Sequence, residues 1–286
     1  MTKPHVLIFF LITLVLAGRP GCQNLNSQET GDNETRLKAL AKKEFHYDVV
    51  VRLCKRTLSV YLPLKENLFE YKTVEKNAAG RPFSVQYLTN DYADGAFKIE
   101  YDIIPMTKQP EGNGLTSAYT ENYNSAYRNL FSAVSRIYLD VPVPPEFFKL
   151  TIADIREGIA VTHTFYFDDL KRYQVNSLPQ EEYTQRILTD SAGEKRLVND
   201  TKGETIGCVP LSLGAFLAEQ ITARINFKYT QSDFTPSADT QKEILTIVAS
   251  VVKYYDFSQL KDVTLHDLRS HQKASVGPLQ LKSFQQ

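Results

Sequence analysis

A strict alternation of apolar and charged residues over residues 96–104 constrains the fold more than any other feature. Its apolar members are Phe97, Ile99, Tyr101 and Ile103, and its charged members are Lys98, Glu100 and Asp102. Successive side chains of a β-strand point to opposite faces of the sheet. The segment is therefore predicted to be a strand with one face in a hydrophobic core and the other in water, as in antiparallel sheets.

Pairs of β-rich runs joined by short polar turns occur three times, which is typical of β-hairpins. The predicted pairs are 47–54 with 57–63, 83–89 with 96–104, and 147–155 with 159–167. A further short strand is predicted over 225–230.

Amphipathic helices are predicted between these hairpins from apolar residues at helical spacing. The predicted helices span 34–44, 117–138 with Ser117 as N-cap, 179–189, 212–224, and a segment from Ser237 to about residue 254. Strands and helices do not alternate regularly, which favours an α+β fold over a doubly wound sheet. We predict a mainly antiparallel sheet of hairpins packed by two or three amphipathic helices.

The N-terminus resembles a secretory signal. Lys3 precedes an uncharged run over 6–18, and a polar sequence follows. This run is shorter than the roughly 20 apolar residues that span a bilayer, and it fits the apolar region of a signal peptide. Residues 1–21 are therefore predicted to direct export and to be removed. An uncleaved short membrane anchor is the alternative.

Cys22 directly follows this region and resembles the lipid-bearing residue of a bacterial lipoprotein. Gly21 fits that pattern, whereas Arg19 and Pro20 depart from it. Ordinary cleavage after Gly18 is the alternative. With lipid on Cys22, the protein is predicted to be anchored either on the outer side of the cytoplasmic membrane or in the outer membrane. Without the lipid, it is predicted to be secreted as a soluble protein.

The domain organisation is predicted from composition. Residues 22–35 are polar and are predicted to be a flexible tether. An α+β globular domain is predicted over 36–264, and residues 265–286 are predicted to be a fraying C-terminal tail. The proline-rich segment 141–145 ends a helix, and it is a place where two lobes could meet.

Cysteines and charge limit the kinds of site. If Cys22 bears lipid, Cys54 and Cys208 remain, either as a disulfide or as two separate buried thiols. The sequence has no Cys-x-x-Cys pair, so we predict no metal site and no cofactor. Lys+Arg and Asp+Glu both number 33, and this balance gives no attraction to nucleic acid.

No familiar catalytic motif is present, and weak candidates remain. Cys208 with His163 would form a Cys/His nucleophile if the fold brought them together. Asp154 and Glu157 flank a predicted hairpin turn, and Asp168 with Asp169 ends the next strand. Carboxylates paired among them would serve hydrolysis or calcium binding at the right separation. Turn-solvating carboxylates and a buried or disulfide-bonded cysteine are the structural alternatives.

Tyrosines recur along the predicted helix 117–138, with Tyr119, Tyr123 and Tyr127 on one side. Such a stripe is a candidate surface for a protein partner, or the face of a helix packed on a sheet. From all of this we predict an exported, lipid-anchored envelope protein that binds a partner or organises a surface without catalysis. An exported hydrolase and a small-ligand carrier are the alternatives.

Overall fold

A computed structural model describes residues 25–73, 82–106, 115–231, 234 and 239–284 of the chain. The predicted signal peptide, Cys22 and the predicted helix cap Ser237 lie outside the described residues.

The described residues form eleven strands and seven α-helices. The strands are β1 (Val50–Cys54), β2 (Thr57–Leu64), β3 (Phe69–Thr73), β4 (Phe83–Ala93), β5 (Ala96–Pro105), β6 (Leu115–Tyr119), β7 (Phe147–Asp154), β8 (Ile159–Tyr166), β9 (Leu188–Gly193), β10 (Asp262–Asp267) and β11 (Lys273–Val276). The helices are α1 (Leu25–Phe45), α2 (Glu121–Tyr138), α3 (Phe167–Gln174), α4 (Gln180–Gln185), α5 (Leu213–Thr230), α6 (Thr240–Tyr254) and α7 (Pro278–Leu281).

The strands form three mostly antiparallel sheets, which confirms the predicted α+β class. The first has the order β1-β2-β7-β8-β9, the second β11-β10-β5-β4, and β3 pairs with β6. Only two of the described strand pairs are parallel, β2 with β7 and β5 with β10. Both join segments far apart in the chain.

All three predicted hairpins are present, as β1–β2, β4–β5 and β7–β8. The second is tighter than predicted, since its strands extend to a two-residue turn at Asp94 and Gly95. Both residues have positive φ, 54° and 89°, as hairpin turns of this length require. A Cβ at Gly95 would lie 2.9 Å from the carbonyl oxygen of Gln259, so the position also needs glycine for space.

Two large hydrophobic clusters form the core, and they use interleaved parts of the chain. One joins the second sheet to α5 and α6, with Phe97, Phe216 and Val248 fully buried. The other joins the first sheet to α1 and α2, with Leu37 and Leu130 fully buried. A cut of the chain near 141–145 does not separate these clusters, because β4 and β5 belong with the C-terminal helices.

The predicted boundaries at both ends of the globular domain need correction. Helix α1 begins at Leu25, within the predicted tether 22–35. Its buried Leu37 and Ala41 pack beside α2, so packing further along the helix orders a polar stretch. The predicted tail 265–286 contains the end of β10 and all of β11 and α7. It is anchored by Val276 and Leu281, which are 8% and 1% exposed.

Helix boundaries differ in three further places. The predicted strand 225–230 is the last part of α5, because Ile221, Ile225 and Tyr229 continue one buried helical face in steps of four residues. Helix α2 begins after Thr120, whose side chain accepts from the Tyr123 amide, and not after Ser117. The predicted helix 179–189 ends early, at Gln185, and β9 follows.

Candidate functional site

An open groove lies between α4, α5 and α6. Arg224, Phe227 and Lys228 lie three and four residues apart on α5, beside the face that enters the core. Residues at this spacing share one side of a helix. Ile247 and Tyr254 line the groove from α6, where they lie seven residues, or two helical turns, apart on one side of the helix. The short α4 ends at Gln185 and leaves this side of the two helices uncovered.

We call this site the Arg224 groove and define it by Ile187, Ala223, Arg224, Phe227, Ile247 and Tyr254. It encloses about 790 Å³, within the range of roughly 300–1,000 Å³ typical of small-molecule sites. Phe227 is 61% exposed and Tyr254 is 47% exposed. Large rings left in contact with water along a concave surface are typical of a binding site.

The charges of the Arg224 groove are unevenly satisfied. Lys228 Nζ donates to Glu243 Oε2 at 2.6 Å. Arg224 has no hydrogen bond or ion pair among the described residues, and its Nε and Nη2 are buried without an acceptor. None of the described residues lining the groove is Asp or Glu. The groove therefore carries a guanidinium whose charge is not compensated locally.

A buried network lies behind Tyr254. Arg186 is 2% exposed, and its Nη1 donates to Asp169 Oδ1 at 2.7 Å while its Nη2 bonds to Glu182. Tyr255 Oη donates to the other oxygen of Asp169 at 3.0 Å. Burial acts to lower the pKa of Arg186, but the two carboxylates outweigh it and raise the pKa. Arg186 is thus held charged, and the network joins α3 and α4 to α6.

The predicted tyrosine stripe is a packed cluster rather than one exposed surface. Tyr123 is 2% exposed and forms a hydrogen bond with His163 Nε2. Tyr119 lies on β6, not on the helix; it is 36% exposed, and its ring stacks on that of Tyr123 at 4.3 Å between centroids. Tyr127 packs on the His163 ring at 4.4 Å.

His163 is satisfied at both ring nitrogens. Its Nδ1 lies 2.9 Å from Thr189 Oγ1, opposite the nitrogen bonded to Tyr123. Burial lowers the pKa of His163 to about 4, so the ring is neutral at neutral pH. A neutral imidazole with one donor and one acceptor matches two hydroxyl partners, which is a structural role.

The structure does not bring Cys208 and His163 together. Cys208 forms a disulfide with Cys54, with 5.8 Å between the Cα atoms, and a disulfide sulfur is not a free nucleophile. This bridge ties the end of β1 to the segment before α5 across 154 positions of sequence. A loop of that length is one whose closure strongly restricts the unfolded chain.

Asp154 and Asp168 also lie apart. Asp154 is 1% exposed and accepts from the amides of Arg156 and Glu157 in the β7–β8 turn. Asp168 accepts from Tyr166 Oη at 3.2 Å, after the other end of β8. A strand of this length spans roughly 25 Å, whereas glycosidase carboxylates lie about 5–10 Å apart. Asp154 and Asp168 therefore do not form a carboxylate pair with each other.

Membrane and metal features were sought across the described ranges. In 25–73, 82–106, 115–231, 234 and 239–284, no helix is both long and apolar enough to cross a bilayer. Over the same residues, no cluster of three or more His, Cys, Asp or Glu side chains is placed to hold a metal ion.

The fold and the groove together define an α+β protein with an open, mainly apolar cleft bordered by one uncompensated guanidinium. No protein-family model, curated protein or solved structure matches the chain.

Sequence reasoning missed Arg224 and Phe227 because residues 225–230 were assigned to a strand. The signal that could have revealed them is the four-residue spacing that continues from Leu217 to Tyr229. A helix over the whole segment puts Arg224 and Phe227 on one side. The pairing of that side with α6 has no local signature in the sequence.

Proposed function

We propose that this protein is exported, tethered to a membrane through lipid on Cys22, and binds a small ligand in the Arg224 groove without catalysing a reaction. The export and tether parts rest on the uncharged run 6–18 and on the cysteine that follows it. The sequence predicted partner binding, with a small-ligand carrier as an alternative. The carrier is preferred here because of the shape of the groove.

The observation that supports this proposal most is the mainly apolar lining of the groove. Active sites usually place a strongly shifted group in a cleft. Here His163, with its lowered pKa, lies among tyrosines and does not line the groove. The groove instead has Ile187, Phe227 and Ile247 among its walls, which favours binding over catalysis.

A small ligand is preferred to a protein partner because the groove is concave and limited in size. Standard protein interfaces bury about 800 Å² on each side, and the tyrosines that were predicted to form such a surface are packed together. Only Tyr119 of that set is exposed, at 36%.

Binding in the groove is tested with Nile red, a neutral apolar dye whose fluorescence rises on leaving water. Ala223 lines the groove and is exposed, so Ala223→Trp should fill the site and weaken binding at least about tenfold, or about 1.4 kcal/mol. Ala192→Trp is the matched control, because Ala192 is an exposed alanine of β9 outside the groove. The proposal is supported if wild type and Ala192→Trp bind the dye saturably and Ala223→Trp does not. Equal binding by Ala223→Trp, or no saturable binding by wild type, refutes it.

The tether is tested separately by mass spectrometry of the mature N-terminus from the native membrane fraction. A diacyl or triacyl mass on Cys22 is expected. An unmodified residue following Gly18 refutes the lipid, and full-length chain in the cytosol with Met1 attached refutes export.

A further inference from the structure

Arg224 is the one described lining cation of the groove without an acidic partner. Its Nε and Nη2 have no hydrogen-bond acceptor although both are buried, and a buried donor without an acceptor is unfavourable. The ring centroid of Tyr254 lies 5.6 Å from the guanidinium carbon. An aromatic face attracts a cation weakly and accepts no strong hydrogen bond.

The neighbouring cations emphasise this difference. Lys228 borders the same groove and is neutralised by Glu243 at 2.6 Å. Arg186, which also lies near the Tyr254 ring, bonds to both Asp169 and Glu182. Arg224 alone among the three retains an unmatched positive charge.

The surroundings of Arg224 determine what kind of anion would fit. Ile187, Phe227 and Ile247 provide apolar surface that a free inorganic anion cannot cover. Nε and Nη2 of Arg224 are buried, so an anion entering the groove would meet the guanidinium at Nη1, and a charged carboxylate or phosphodiester oxygen suits such a donor. A ligand with a second negative charge would leave that charge without a partner in a partly dry site.

We propose that the Arg224 groove binds an amphipathic monoanion, with its single negative head group on Arg224 and its apolar chain along Phe227 and Ile247. This rests on the proposed binding function and adds the chemical class of the ligand. The head group is a carboxylate of a free fatty acid or a phosphodiester of a lipid, since both present the same charge and paired oxygens.

A tryptophan reporter makes the test direct, because the chain contains no tryptophan. Phe227→Trp places a single indole at the rim of the groove, and its emission should shift to the blue as ligand enters. Dodecanoate and dodecanol are titrated into this protein below their aggregation concentrations at pH 8. Dodecanoate should bind about 10- to 100-fold more tightly, as expected for a hydrogen bond to a charged group.

Arg224→Met in the Phe227→Trp background should remove this preference and leave dodecanol binding within about twofold of its former value. Arg128→Met is the matched control, because Arg128 is an exposed arginine of α2, paired with Glu121 and outside the groove. It should keep the full preference. Displacement of Nile red from protein without the reporter gives a second measure in case Phe227→Trp perturbs the site.

The two sources of head group are separated by lysophosphatidylglycerol and lysophosphatidylcholine. A preference for the former that depends on Arg224 identifies a lipid head group, and a preference confined to dodecanoate identifies a free carboxylate; either supports the proposal. Equal binding of charged and neutral ligands, or a preference that survives Arg224→Met, overturns it while leaving groove binding intact. Failure of every ligand and of Nile red to bind overturns the proposed function itself.

Discussion

Two arginines approach the ring of Tyr254, and their surroundings differ completely. Arg186 lies 5.2 Å from the ring centroid and Arg224 lies 5.6 Å from it. Arg186 is fully enclosed and bonded to Asp169 and Glu182, whereas Arg224 borders an open groove and has no acidic partner among the described residues. The comparison shows that being an arginine does not by itself decide whether a residue has a structural or a binding role. A buried charge with partners holds elements together, and a charge without one is available to a ligand.

The largest expected effect is at the enclosed arginine. Asp169→Ala leaves Arg186 buried with only Glu182 as a partner, and we expect the free energy of unfolding to fall by about 3–5 kcal/mol. Urea denaturation at pH 7 measures this. The double variant Asp169→Leu with Arg186→Met removes this pair of charges and should lose less than Asp169→Ala. An equal or larger loss would mean that the ion pair itself is stabilising, and that the unpaired Arg186 charge does not account for the effect.

His163 extends the comparison to a second buried group that has hydrogen-bond partners. Its folded-state pKa of about 4 lies below the ordinary value of 6.5, so the unfolded chain binds the proton more readily. The stability that neutral His163 provides is complete above pH 6.5 and is lost as the pH falls towards 4, by roughly 3 kcal/mol. Urea denaturation across this range should show that much extra loss in wild type relative to His163→Gln. Parallel curves for the two proteins would contradict the assignment.

Tyr255→Phe removes one hydrogen bond to Asp169 and keeps the ring. Because a buried carboxylate oxygen then lacks its donor, we expect a loss of about 1–2 kcal/mol in the free energy of unfolding. Tyr254→Phe is the control, since Tyr254 is 47% exposed and no hydrogen bond of its hydroxyl occurs among the described residues. If Tyr254→Phe lowers the free energy of unfolding as much as Tyr255→Phe, the loss cannot be attributed to the hydrogen bond between Tyr255 and Asp169.

The smallest expected effect on stability is at the groove. Arg224→Met should not lower the free energy of unfolding by more than about 1 kcal/mol, because it breaks no hydrogen bond or ion pair and removes donors that have no acceptor. The same urea experiment measures it. A loss comparable to that of Asp169→Ala would show that the two arginines share a structural role, and the contrast between them would be lost.

Several features were predictable because they depend on neighbouring residues. The three hairpins follow from alternating patterns interrupted by turns, and the α+β class follows from mixing these with separate helical segments. Errors occurred where a local pattern was ambiguous. The β-branched and aromatic residues after Arg224 resemble a strand, and only the four-residue spacing that ends at Tyr229 reveals the helix.

The sequence by itself determined the hairpins and the class of fold. It also predicts export, from the uncharged run that precedes Cys22. The tertiary structure alone decided that β5 pairs with β10, that Cys54 bonds to Cys208, and that Arg224 has no acidic neighbour while Arg186 has two. The physical reason is the distance along the sequence over which each interaction acts. Turns and side-chain periodicity act over a few residues, whereas charge compensation depends on which distant side chains share a surface after folding.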